Sequence, residues 1–238
     1  MNKPISFTIS DFNKLTLPNH TVCNRLEYIH INCNTDKITK FLDQNVMNLS
    51  KLKEASIIIP PHITNITQDD LHRLFNKIKT VETLHSSYPP ISPYDSQENL
   101  VLPNLRKLEL FGIDIIGRPA HCAQWLHAYA PQLESLTLAL NARNFWTISF
   151  PKLTKLQLYS LADGELLRSA LNAAKILNEI SIRSSWETIN IKDVIKQCIV
   201  DRSLQVARFN IKYNKHRNND SLWVSKRRHG IYRYQQKQ

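Results

Sequence analysis

Nine histidines and four cysteines are the side chains of this 238-residue chain best able to bind a metal or move a proton. A zinc site needs several of them at short, regular separations. Cys23, Cys33, Cys122 and Cys198 follow no CxxC spacing, and four cysteines scattered through 238 residues do not make a disulfide framework. They read as reduced, small apolar residues of a core. His20, His30, His62, His72, His121 and His127 stand at no ligand spacing to Cys, Asp or Glu. His121 and His127 lie six apart, which on a helix puts them on roughly opposite faces. Gly112-x-x-x-x-Gly117-Arg118 echoes a phosphate-binding loop but lacks the Lys-Ser/Thr pair, and Pro119 follows. No HExxH, GxSxG or GxGxxG occurs. The expectation is a chain with no catalytic residues, no metal and no cofactor, and so not an enzyme.

Charge points to a different chemistry. The formal charge is +11, but the segment from Lys212 to the end holds eight Lys/Arg against Asp220 alone. The body is therefore only mildly basic, and the basic character is a local feature of the C-terminus. There Lys226-Arg227-Arg228-His229 stands near Trp223, Tyr232 and Tyr234. Basic residues interleaved with aromatics can hold phosphates and stack bases, and a short basic cluster can also serve nuclear import. The plainer alternative is a solvated terminus whose Leu222 and Trp223 cover the last exposed edge of the fold.

The elements that must position these residues announce themselves as a period. The pattern apolar-x-x-apolar-x-apolar recurs as Leu26-Ile29-Ile31, Leu52-Ala55-Ile57, Leu105-Leu108-Leu110, Leu133-Leu136-Leu138, Leu153-Leu156-Leu158 and Leu177-Ile180-Ile182. Weaker copies are Val81-Leu84-Ser86 and Leu204-Ala207-Phe209, and Pro4-Phe7-Ile9 is a candidate ninth. Successive copies from Leu26 start 26, 29, 24, 28, 20, 24 and 27 residues apart. One match means little; eight in series are a repeat. The last two apolar residues of each copy are two apart, so they share one side of a short strand. Such a strand is stable only when the next copy stacks beside it and continues both the hydrogen-bond ladder and the apolar layer.

Between strands the sequence often reads as helix. Thr35 can cap 36–48, and Thr67-x-x-Asp70 resembles a capping box before Leu71, Leu74, Phe75 and Ile78. Pro119 and Pro131 bracket another helix, Asp163 opens one carrying Leu166, Leu167, Ala170, Leu171 and Ala174, and Asn190 precedes a fourth. Residues 86–103 hold four prolines and read as a loop. Residues 141–151, with Phe145, Trp146, Ile148 and Phe150, read as extended chain packed on the side away from the strands. Strand–helix alternation with right-handed crossovers predicts an α/β solenoid, a horseshoe with parallel strands on its concave face and helices and loops on its convex face. Residues 1–211 form this domain in the sequence reading, and 212–238 form a basic C-terminal tail.

The segments LPNLRKLEL (102–110), APQLESLTL (130–138) and FPKLTKLQL (150–158) resemble leucine-rich repeats, most closely the irregular repeats of F-box/leucine-rich-repeat proteins. The resemblance covers about residues 26 to 209. It implies the substrate-binding horseshoe of a cullin-type ubiquitin ligase receptor. No F-box motif precedes the repeats, since Leu17-Pro18-Asn19-His20 is too short and lacks the acidic residue. A ligase adaptor would therefore be a partner only if an F-box were supplied elsewhere. The Asn/Cys of the family's ninth repeat position occurs only as Asn34 and Asn141.

Counting from the first apolar residue of each copy, positions three, five and seven face the concave surface. The fifth-position row reads His30, Ser56, His85, Glu109, Thr137, Gln157, Ser181, Arg208. The seventh reads Asn32, Ile58, Ser87, Phe111, Ala139, Tyr159, Arg183, Asn210. From these rows and Tyr28 the candidate protein-binding residues are Tyr28, His30, His85, Glu109, Phe111, Gln157, Tyr159, Arg183 and Arg208, because aromatic and Arg side chains on a rigid scaffold are the usual anchors of an interface. The basic tail contributes Lys226, Arg227 and Arg228 as a separate candidate site. The function expected is a non-enzymatic protein-recognition scaffold; the alternative is a nucleic-acid-binding protein led by the tail. No apolar run reaches the roughly 18 residues of a membrane span, and Met1–Asp11 has no signal-peptide core. The expected location is the cytoplasm, extending to the nucleus if the basic cluster is an import signal.

Overall fold

The computed structural model describes residues 5–9, 26–32, 49–59, 68–87, 102–111, 126–127, 130–139, 146, 148–159, 164–184, 208–215, 218–226 and 232–237. The chain divides into two compact units, one of residues 1–112 with 128–132, the other of 113–127 with 133–238.

In the first unit β1 (Ile5–Ile9), β2 (Leu26–Asn32), β3 (Glu54–Ile58), β4 (Thr83–Ser86) and β5 (Lys107–Leu110) lie side by side in chain order. Every pairing is parallel. Helix α1 (Gln68–Lys77) bridges β3 and β4. In the second unit β6 (Ser135–Leu138), β7 (Lys155–Tyr159), β8 (Glu179–Ser184) and β9 (Arg208–Lys215) repeat the parallel arrangement. Helix α2 (Gly164–Ala173) bridges β7 and β8. β10 (Asn218–Lys226) then pairs antiparallel with β9, and β11 (Tyr232–Lys237) pairs antiparallel with β10. Among the described residues β1 has only β2, and β11 only β10, as a strand neighbour, and neither set of strands closes on itself. The fold is α/β, with parallel strands and, among the described residues, a helix in the β3–β4 and β7–β8 connections.

The register accounts for the period. Ala55, Leu84 and Leu108 sit opposite one another across β3, β4 and β5, and Leu136, Leu156 and Ile180 do so across β6, β7 and β8. All six are buried. A fully buried Leu or Ile contributes about 1.5–3 kcal/mol, but a strand of four or five residues holds only two or three of them. Stacking multiplies that contribution. Ser86 occupies a leucine position in this core and is wholly buried.

Five strands, β3, β4, β5, β7 and β8, are entered by the same turn. Leu52, Val81, Leu105, Leu153 and Leu177 donate their N–H to the carbonyl three residues earlier, on Leu49, Ile78, Leu102, Phe150 and Ala174. Those five acceptors are also buried, so each of these five repeats carries a further apolar residue three positions ahead of its first apolar position. Pro103 and Pro151 stand just after the acceptor, where a turn favours a preset φ. Beyond the turn, one carbonyl serves two donors of the next copy: Lys53 O accepts from Glu82 N and Thr83 N, Glu82 O from Arg106 N and Lys107 N, Glu134 O from Thr154 N and Lys155 N, and Thr154 O from Asn178 N and Glu179 N. This shared acceptor locks neighbouring copies in register. Hydroxyls add to it: Thr80 Oγ1 donates towards Leu49 O and Leu52 O (3.1 and 3.2 Å), and Thr154 Oγ1 to Glu134 O (3.1 Å).

The helices expected before Leu71 and after Asp163 are α1 and α2. Leu74 and Phe75 are buried by the first and Leu167, Ala170 and Leu171 by the second, with Ile78 and Ala174 buried just past their ends. Trp146 and Phe150 are buried with an edge-on ring contact, centroids 5.8 Å apart, and Phe150 N–H donates to Ala173 O at 2.7 Å. The helices expected over 36–48 and after Asn190, and nearly all of the loop over 86–103 and the helix between Pro119 and Pro131, lie outside the described residues.

Two sequence expectations need restating at the ends. β1 sets Phe7 opposite Ile29 and Ile9 opposite Ile31, the places a ninth copy would occupy. At β9 the alignment on Leu204 is wrong by two residues. Phe209 pairs with Ile180 and Ile211 with Ile182, so Arg208 stands in the third-position row beside Glu179, and Asn210 in the fifth. Val206-Phe209-Ile211 satisfies the same pattern and carries β-branched residues at the two ends. The division at 211/212 falls within β9, and the segment that followed it supplies β10 and β11.

Candidate recognition face

Alternation along each strand leaves one face of the leucine layer to polar residues. In the first unit that face is built by β2 to β5. Tyr28, Glu54, Thr83 and Lys107 form its third-position row, His30, Ser56, His85 and Glu109 the fifth. The bonds Ser87 N→Ile57 O and Phe111 N→Ser86 O carry the register one step further, so Ile58, Ser87 and Phe111 make the seventh row.

Charges converge at the centre. His85 Nδ1 lies 2.8 Å from Glu109 Oε2, and His85 Nε2 lies 3.3 Å from Glu54 Oε1. Lys107 Nζ is 2.7 Å from the other Glu109 oxygen. A neutral imidazole has one N–H and can serve one of these carboxylates; an imidazolium serves both. Burial pushes the Glu109 carboxyl up, but hydrogen bonds from Lys107 and His85, with the charges of both, outweigh it and hold the group below the usual glutamate range. His85 is therefore held between two carboxylates, with Ser56 beside it in the row and buried. Nδ1 faces Glu109 and Nε2 faces Glu54, so the ring straps together carboxylates from β3 and β5.

Above this strap the seventh row sets two large apolar side chains among polar ones. Ile58 and Phe111 are 39% and 43% exposed, and Ser87 stands between them. Ser87 Oγ accepts from Ile59 N at 2.8 Å and lies 3.2 Å from Ile59 O, which fixes the backbone beside Ile58.

In the second unit the same rows run through β6 to β9. Gln157 Nε2 donates to Tyr159 Oη at 2.6 Å, so those two half-buried residues form one hydrogen-bonded pair. Arg183 is opposite Tyr159 in the register, and Arg208 opposite Glu179. Lys155 reaches Glu179 at 3.9 Å between exposed side chains, a pair of little energetic weight.

Tyr28, His30, His85, Glu109 and Phe111 thus share the face of the first unit, and Gln157, Tyr159, Arg183 and Arg208 that of the second. Lys226 ends β10, while Arg227 and Arg228 lie outside the described residues. Glu54 and Lys107 were missed as site residues because their chemistry arises laterally: Glu54 is 31 residues from His85 in sequence and adjacent to it across two strands. Their third-position places in the repeat were the available signal. His127 Nδ1 donates to Ser149 O at 2.9 Å. Among the described residues no group of three His, Cys, Asp or Glu could hold a metal ion, and no helix is long and apolar enough to cross a membrane. Comparison with protein-family models, with curated proteins and with solved structures returned no match to the chain.

Proposed function

We propose that this protein is a non-enzymatic leucine-rich-repeat scaffold that recognises a protein partner through the polar face of its strands, in the manner of the substrate-receptor part of an F-box-type ubiquitin ligase component. The observation that carries this reading is the pairing of exposed Ile58 and Phe111 with the Glu54–His85–Glu109 strap on adjoining strands. An apolar anchor beside oriented charge, on backbone fixed by a regular ladder, is how interfaces concentrate binding energy. The parallel strands in chain order and the repeated entry turn support the repeat family.

The test compares proteins retained by the full chain, by Phe111→Asp and by Ile176→Asp. Ile176 is the control, a large apolar residue of similar exposure but placed in the turn before β8 rather than on the face. A stoichiometric partner lost with Phe111→Asp and kept with Ile176→Asp supports the assignment. Retention unchanged by Phe111→Asp contradicts it. Co-recovery of a ligase adaptor separates a ligase receptor from a free recognition module.

A further inference from the structure

The strong positive charge of the C-terminus takes on meaning only once it is folded into strands. In the antiparallel register Ser225, Trp223 and Ser221 stand opposite Arg208, Asn210 and Lys212, and Arg233, Gln235 and Lys237 stand opposite the same three residues of β10. Directly opposed residues share a face. The polar rows of the second unit therefore continue without a break from β7 to β11. Their third-position row gains Arg208 and Arg233; their seventh holds Arg183, Lys212 and Lys237. Between these two cationic rows runs a row of neutral hydrogen-bonding residues, Gln157, Ser181, Asn210 and Gln235, interrupted by Trp223. Four residues of strand rise separate the cationic rows by about 13 Å. Among the described residues of this face Glu179 is the lone carboxylate, and Lys155 is paired with it.

The geometry points to this face, spanning β7 to β11, as a binding surface for single-stranded nucleic acid, with phosphates drawn to the cationic rows and a base stacked on Trp223. The argument is one of charge complementarity and residue type. Six cations on this face (Lys155, Arg183, Arg208, Lys212, Arg233 and Lys237) against the one carboxylate of Glu179 leave a net of five positive charges to attract a polyanion, and an aromatic residue among amides suits unpaired bases better than an acidic peptide or a closed duplex. The site differs from the basic run at 226–228. Lys226, Tyr232 and Tyr234 fall on the opposite side of the sheet, alternating with Ser225, Arg233 and Gln235. It is also independent of the protein-recognition reading, which rests on the first unit.

The experiment is fluorescence anisotropy of the full chain with a labelled 20-nucleotide oligouridylate, read over a series of salt concentrations. Binding is expected with a log–log salt slope of about −3.5, from five phosphate contacts at roughly 0.7 each. Lys212→Gln with Arg233→Gln should flatten the slope by about 1.4. Trp223→Ala should weaken binding between about 5-fold and 150-fold, the range of one lost base stack. Lys226→Gln, on the other side, should change neither by more than about twofold. Circular dichroism checks that each variant is folded; if Trp223→Ala unfolds, the double glutamine variant decides alone. Unchanged slope and affinity in that variant overturn the proposal. So does competition by an equal-length duplex or by polyglutamate as strong as that of the unlabelled single strand, which would assign the face to duplex backbone or to an acidic polypeptide.

Discussion

Leu156→Ala separates the two faces of one strand by their energetic weight. Leu156 is 2% exposed and lies between Leu136 and Ile180 in the register. Shortening it to alanine removes three carbons, worth about 2.4 kcal/mol at roughly 0.8 kcal/mol per buried methylene. The neighbours are held by ladders on both sides and collapse only in part, so a cavity term brings the loss to about 3 kcal/mol, inside the ~2–5 kcal/mol range for such truncations. At about 2–4 °C per kcal/mol for a chain of this size, the melting temperature should fall by about 6–12 °C. The adjacent Lys155→Ala touches only an exposed ion pair at 3.9 Å and should cost under about 0.5 kcal/mol. Chemical denaturation followed by circular dichroism measures both. Equal losses for the two variants would refute the assignment of one strand side to core and the other to solvent.

Three further outcomes are expected. Thr80→Val removes a hydroxyl donated to the Leu49 and Leu52 carbonyls and should cost about 1 kcal/mol by denaturant titration, with the m-value unchanged. Glu109→Gln should lessen the loss of stability on acidification. Its folded carboxyl lies below the ordinary glutamate range, so the wild-type contribution is complete above that range and disappears as pH falls through the lowered value, and denaturation curves across pH 3–6 should show the difference shrinking towards the acid end. Trp146→Ala should destabilise by about 3–5 kcal/mol and remove the edge-on contact with Phe150, read as a loss of near-ultraviolet dichroism.

Much of the strand framework was legible before any coordinates, because a pattern of two apolar residues two apart, recurring at nearly constant spacing, has few other physical solutions. β2 to β8 fall where that pattern fell. The slip at β9 has a local cause: Leu204-Ala207-Phe209 and Val206-Phe209-Ile211 overlap, and priority given to leucine selected the one whose middle residue, Ala207, buries least. The entry turn is written in Leu102-Pro103-Asn104-Leu105 and Phe150-Pro151-Lys152-Leu153, but its buried first residue stands outside the apolar-x-x-apolar-x-apolar pattern that defines the period. β10 and β11 were hidden by charge. Trp223, Val224, Tyr232 and Tyr234 have strand character, but eight basic residues drew attention to the segment as a tail.

The strap on the first unit could not be read from spacing along the chain. His85 meets Glu109 and Glu54 only because three copies stack at one level. Sequence alone puts His85 and Glu109 in one row and Glu54 and Lys107 in the row beside it; that two carboxylates close on one imidazole depends on side-chain reach between rows.

Stacking in chain order is the idea on which both proposed surfaces depend, and the side chains of the second unit offer the sharpest reading of it. Nuclear Overhauser contacts between selectively labelled Leu and Ile methyl groups should connect Leu136 to Leu156 and Leu156 to Ile180, with Leu138, Leu158 and Ile182 forming a second line alongside. Methyl contacts that join Leu136 directly to Ile180 while bypassing Leu156, or that leave Leu156 with water alone, would contradict the account.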